Sequence, residues 1–295
     1  MVRDDSAKTP APDAPTRTAQ RLAVLGDSTA VGLGDPLPGG GWRGVGPLAA
    51  EALGITPDGY LNCSFTGARM RCVRTEQLPV ALAHRPDVVL LVAGMNDTLR
   101  SDFDPAKLAA DLDRVLAALL AEGALPVVVC FHDHGRVFRL PGALRRALRA
   151  RIGELNAAIG TAVTRHEVPC LDLDAVPGTY DLASWSVDRL HPSELGHRLL
   201  ARGFTELLSQ AGFAVPAPVG LTCSGGAQTS TLDHVGWLVV KGAPWLWRRG
   251  RDLLPYAAGI ILRSMAGRAW RPRREAGTAD TEGTSPQELP AAVRS

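Results

Sequence analysis

The sequence predicts an α/β fold in which five parallel strands are covered by helices on both faces. Three observations predict it. Short, uniformly apolar runs recur along the chain, as at residues 22–25 and 88–93. Uniform rather than alternating apolarity marks a strand buried on both sides. Stretches with one apolar helical face separate these runs. The runs end abruptly in polar or glycine-bearing residues, at the sheet edge where open α/β folds bind ligands.

Taken in order, residues 1–19 are rich in Pro, Asp, Thr and Ala and hold no apolar core of signal-peptide length. They are expected to form a disordered tail, with no export signal. The first strand, Leu22-Ala23-Val24-Leu25, runs into Gly26-Asp27-Ser28-Thr29, where the glycine lets the chain turn sharply. A Gly- and Pro-rich loop at 32–46 should border the active edge. A helix over 47–53 and a strand over 60–65 follow. The strand over 86–93 ends in Gly94-Met95-Asn96-Asp97. Asp104-Pro105 then opens a helix as N-cap and first-turn proline, with Leu108, Leu112, Val115, Leu116 and Leu119 on one face. The strand over 126–131 leads into His132-Asp133-His134. A helix over 142–166 carries an Arg-rich outer face, the last strand spans 168–173, and a final helix over 193–211 should pack behind His191.

The strand ends bring together the parts of an acyl-transfer site. A serine hydroxyl is a weak nucleophile until an imidazole takes its proton, and a carboxylate holds that imidazole in the useful tautomer. Ser28 and the pair Asp188 and His191, three residues apart just before the last helix, supply these groups. The developing oxyanion needs donors already aimed at it, which an Asn amide and backbone N–H groups can provide. Each residue also has a plainer reading: Ser28 in a turn with an N-cap, Asn96 capping a turn, His191 approaching a helix with a solvated ring. Their combination favours chemistry.

These residues resemble the motif blocks of the SGNH, or GDSL, hydrolase family over roughly residues 21–212. Gly26-Asp27-Ser28 is similar to the first block, and Gly67 in Asn62-Cys63-Ser64-Phe65-Thr66-Gly67-Ala68 to the second, the softest of the matches. Gly94-Met95-Asn96-Asp97 resembles the third, and Asp188-Arg189-Leu190-His191 the last. Thr29 stands where the family name has Leu, a change that touches no catalytic role. The resemblance implies a three-layer α/β/α sandwich of the SGNH/flavodoxin-like kind. It also implies Ser28 as nucleophile, His191 as base, Asp188 as its orienting acid, and an oxyanion hole from Ser28, Gly67 and Asn96. It calls for no metal or organic cofactor.

Other polar residues near these strand ends read differently. Asp27 is expected to hold its loop through neighbouring backbone N–H groups, and Asp97 to stabilise the turn beneath Asn96. His132, Asp133 and His134 could suggest a metal, but two His one residue apart on a loop lack the spacing of known zinc motifs. They are read as pocket lining or contacts to a polar part of the substrate, with a purely structural role equally open. No Gly-x-Ser-x-Gly surrounds Ser28, so the nucleophile-elbow hydrolases are a poor fit. The five cysteines are scattered and odd in number, without metal spacing. Cys130 and Cys170 fall inside apolar runs as small core residues.

Domain organisation follows. Residues 20–213 form the hydrolase domain, and 214–235 read as a Pro/Gly/Ser/Thr-rich linker. Residues 236–270 hold four of the six tryptophans, interleaved with arginines, and form an amphipathic segment suited to a membrane surface or to folding back on the domain, with self-association as the third reading. No apolar stretch is long enough to span a bilayer. Residues 271–295 are expected to be disordered. The formal charge of +2 on 295 residues argues against a nucleic-acid or acidic partner. The expected activity is a cytoplasmic serine esterase acting on a small-molecule, lipid or sugar ester, with membrane-surface contact through 236–270. The alternatives are an acyltransferase using the same triad and a membrane-associated binding protein on a hydrolase fold.

Overall fold

The computed structural model describes residues 17–137 and 142–224; the Trp/Arg-rich segment and the two expected tails, apart from residues 17–19, lie outside these residues. Five parallel strands run in the order β2-β1-β3-β4-β5. They are β1 (Leu22–Gly26), β2 (Tyr60–Asn62), β3 (Val88–Val92), β4 (Leu125–Cys130) and β5 (Cys170–Asp172). Every residue of β1 and β3 is buried, as their unbroken apolar runs require. Their register sets Leu22 opposite Val88 and Gly26 opposite Val92, so both strands end level.

The helices are α1 (Ser28–Val31), α2 (Val45–Ala52), α3 (Met70–Cys72), α4 (Leu78–His84), α5 (Met95–Thr98), α6 (Pro105–Ala121), α7 (Gly142–His166) and α8 (Glu194–Gln210). Helix α2 packs on α8, and α6 on α7, giving one helix layer for each face of the sheet. The start of α6 is fixed by Asp104, whose Oδ1 accepts the N–H groups of Ala106 and Lys107 at 3.0 and 3.1 Å. Its Leu108, Leu112, Val115, Leu116 and Leu119 are all buried. Each such burial is worth about 1.5–3 kcal/mol, so Leu116→Ala should cost about 2–5 kcal/mol.

The domain extends slightly past its expected limits. Arg17 pairs with Phe213, and Ala19 is buried, so residues 17–19 belong to the domain rather than the tail. At the other end, Val219 is buried and Ala217 donates its N–H to the Ala52 carbonyl. Ser224 binds Glu194 at the start of α8. The first part of the expected linker is therefore packed chain. Helix α7 presents most of its arginines outward, but Arg151 is buried and donates to the carbonyls of Thr98 and Arg100. Cys130, the last residue of β4, and Cys170, the first of β5, are half-buried, with Sγ atoms 3.3 Å apart.

Candidate active site

Strand β1 ends at Gly26 because the chain must pass its neighbour at close range. A Cβ there would lie 2.1 Å from the Val92 carbonyl oxygen, and φ is +146°, so only glycine fits. Gln77 clamps the same residue. Its Oε1 accepts the Gly26 N–H at 2.8 Å and its Nε2 donates to the Gly26 carbonyl at 2.9 Å, all buried. Asp27 then caps α1 through Oδ1, accepting the Thr29 N–H at 3.0 Å. Ser28 is thereby the first helical residue, held at the carboxyl edge of the sheet.

The Ser28 Oγ lies 2.8 Å from His191 Nε2, and His191 Nδ1 lies 2.6 Å from Asp188 Oδ2. With the Nδ1–H donating to Asp188, Nε2 is free to accept the serine proton. The His191 and Asp188 side chains are only 12% and 11% exposed. Burial would raise the Asp188 pKa, but hydrogen bonds from His191 and Ser186 outweigh it and hold the carboxyl at about 2. It is therefore ionised across the working pH range.

The loop bearing Asp188 and His191 is tightly closed. Trp185 bridges Pro192, and the Ser186 N–H donates to the His191 carbonyl at 2.8 Å. Asp188 Oδ1 accepts from Ser186 Oγ and from the N–H groups of Leu190 and His191. Arg189 takes the left-handed conformation at φ 52°, a strain of about 1–2 kcal/mol that these bonds hold in place. The carboxylate thus shapes the loop as well as the imidazole.

Asn96 lies in α5, just past β3. Its Nδ2 donates to Asp27 Oδ2 and to the Ala68 carbonyl, each at 3.2 Å. That second contact places the amide beside the turn containing Gly67, where φ is +83°. Among the described residues no protein acceptor takes the backbone N–H of Ser28 or of Gly67. Asp97, buried, accepts the Met70 N–H at 3.1 Å and pairs with Arg69, tying the β3 loop to α3. Burial raises the Asp97 pKa, and also pushes that of Asp27 to about 6.

His132 and His134 are buried, and His132 Nε2 meets His134 Nδ1 at 3.0 Å. Both rings pack on Trp185, with centroids 4.8 and 5.1 Å away. Burial holds their pKa values down, at about 3 and about 4, so both are neutral near pH 7. Asp133 is set apart, capping the turn His134–Arg136 by accepting the Gly135 N–H. Below these rings lies a mostly apolar cavity of about 60 Å3 that both histidines line. Among the described residues no three or more His, Cys, Asp or Glu side chains gather as metal ligands would.

The structure therefore brings Ser28, Asp188 and His191 into one hydrogen-bonded chain, and bonds the Asn96 amide to Ala68, the residue after Gly67. His132 and His134 line a cavity nearby, whereas Asp133 serves its own turn. Three partners escaped the sequence reading. Gln77 carries no local signal, since its contact with Gly26 spans 51 residues. Trp185 likewise acts through tertiary packing. Ser186 could have been found, because a Ser two residues before an Asp is placed for such a local bond.

The chain can be set beside known proteins on this footing. The family model described as GDSL-like lipase/acylhydrolase matches residues 24–199. No relative was found among curated proteins. Among solved structures, Axe2, an acetylxylan esterase from Geobacillus stearothermophilus, is similar with a TM-score of 0.52 at 17% identity, over 66% of this chain and 96% of that one. TesA is similar with a TM-score of 0.50 at 23% identity, over 65% of this chain and 99% of that one. LAE5, an alpha/beta hydrolase enzyme from the metagenome of Lake Arreo, Spain, gives 0.50 at 21% identity, over 64% and 95%. At such identities the structures speak for the fold, and the five-stranded parallel α/β architecture agrees with theirs. The matched family region covers more than half of the chain and contains every residue of the Ser28–His191–Asp188 site, so this protein belongs to the GDSL-like lipase/acylhydrolase family of ester hydrolases.

Proposed function

We propose that this protein hydrolyses carboxylic esters through an acyl-enzyme formed on Ser28. The observation that carries this reading is the unbroken hydrogen-bonded chain from Ser28 Oγ through His191 to Asp188, at 2.8 and 2.6 Å. Ser28 Oγ attacks the ester carbonyl as its proton passes to His191 Nε2. The carbonyl oxygen becomes an oxyanion, received by the N–H groups of Ser28 and Gly67 and by the Asn96 amide. Its collapse breaks the C–O bond, and the alcohol leaves with the proton from His191. Water then attacks the acyl carbon with His191 as base, releasing the acid and restoring Ser28.

Asp188 stays ionised throughout, fixing the imidazole tautomer and stabilising its charged form. The Asn96 contacts to Asp27 and Ala68 are both at the long end of hydrogen-bond distances. One of them can therefore yield to an oxyanion at small cost. The test is hydrolysis of p-nitrophenyl acetate and butanoate by wild type and by Ser28→Ala. Ester cleavage by the wild type and its loss in the variant are expected. Equal rates in the two proteins would refute the serine mechanism.

A further inference from the structure

We propose that the cavity lined by His132, His134 and Trp185 is the acyl pocket, and that it selects a straight uncharged acyl chain of about five to seven carbons. This rests on the serine-esterase reading and adds the substrate class. Position is the first argument. The cavity wall includes Thr29, Met95, Leu190 and Pro192, which are immediate chain neighbours of Ser28, Asn96 and His191. Three of the four segments that carry the proposed chemistry thus contribute to its wall, the turn of Gly67 being the exception. Leu173, Val176 and Leu199 also line it and make the lining apolar.

Volume sets the length. A group of water size needs about 10–15 Å3 of such space, so about 60 Å3 takes about four to six heavy atoms in file. With the carbonyl carbon at Ser28, outside the cavity, this corresponds to pentanoyl through heptanoyl. An acetyl group would leave the cavity empty, and a dodecanoyl chain could not be contained. Charge sets the polarity. Among the described residues the lining holds no Lys, Arg, Asp or Glu, and both of its histidines are buried. An ionised acyl tail would find no counter-charge there.

Burying one methylene is worth about fourfold in kcat/KM, so four methylenes make on the order of 10²-fold between acetate and hexanoate. The experiment is a kcat/KM series with p-nitrophenyl acetate, butanoate, hexanoate, octanoate and dodecanoate. Wild type should peak at hexanoate and fall at least tenfold by dodecanoate. Val176→Phe, which fills the cavity, should lose at least tenfold more on hexanoate than on acetate. Leu199→Ala, which enlarges it, should move the peak to octanoate. A wild-type series that is flat, or that rises to dodecanoate, overturns the proposal whether or not the variants fold. So does an equal proportional loss on acetate and hexanoate in folded Val176→Phe. Wild type inactive on every ester would instead refute the esterase reading and the pocket with it, whereas activity with the wrong profile refutes the pocket alone.

Discussion

Replacing Asp27 by asparagine should make the domain more stable at neutral pH and slow the reaction at the same time. The Asp27 carboxyl is buried, and burial is the chief reason its pKa rises from 3.8 to about 6, helped by the charge of Asp97 and opposed by the Thr29 N–H, His191 and Asn96. A carboxyl whose folded pKa is raised holds its proton longer in the native state than in the unfolded chain. Stability therefore falls as pH climbs from about 4 to about 6 and stays lower above. At 1.36 kcal/mol per pH unit the full penalty is about 3 kcal/mol. Asparagine escapes it and can still cap the Thr29 N–H. What it loses is the bond to Asn96, worth about 1 kcal/mol. The net gain at pH 7 is about 2 kcal/mol, or about 4–8 °C in Tm for a domain of this size. It should vanish near pH 4. The cost falls on activity. The new Nδ2 meets the Asn96 Nδ2 donor to donor, which turns the Asn96 amide and moves its N–H groups away from the oxyanion. A loss in kcat approaching the 10²–10³-fold of a missing donor is expected. Thermal unfolding at pH 4 and 7, with ester hydrolysis at pH 7, tests both halves. A variant no more stable than wild type at pH 7, or equally stabilised at both pH values, would refute the reasoning.

Other substitutions probe separate parts of the account. Asn96→Ala should lower kcat by about 10²–10³-fold with little change in KM, read from initial rates on p-nitrophenyl butanoate. Asp188→Asn should cost about 10⁴-fold in kcat by favouring the wrong His191 tautomer. It should also lose stability that wild type gains above pH 3.8 and gives up only as pH falls toward about 2, which acid unfolding would reveal. Gln77→Leu strips partners from both backbone groups of Gly26 and should destabilise the domain by about 2–6 kcal/mol, at about 1–3 kcal/mol per orphaned group. Denaturant unfolding measures it, and a cost below 1 kcal/mol would mean water replaces the clamp.

The parts of the fold that were legible in the sequence are those governed by local patterns. Strands β1 and β3 announced themselves because both of their faces are buried, and α6 because a capping Asp, a first-turn proline and a regular apolar stripe agree. The hydrogen-bonded set of Ser28, His191 and Asp188 was legible as a candidate because the types and order of these residues match the family's motifs. What escaped was tertiary. Arg151 reads as one more outward arginine of α7, yet it is buried because the carbonyls of Thr98 and Arg100 come within its reach only in the folded state. The second role of Asp27 depends on Asn96, 69 residues away. The histidine pair could be placed at the active edge from sequence, but not its mutual hydrogen bond or the cavity beneath it.

Covalent acylation of Ser28 is the step on which the mechanism turns, and it can be trapped. The protein would be treated with a p-nitrophenyl alkylphosphonate, whose phosphorus takes the place of the carbonyl carbon. Intact mass and peptide mass spectrometry would then locate the adduct. One adduct per chain is expected, on the peptide containing Ser28, absent in Ser28→Ala and slowed in Asn96→Ala. Stoichiometric labelling of another residue, or undiminished labelling of Ser28→Ala, would contradict it.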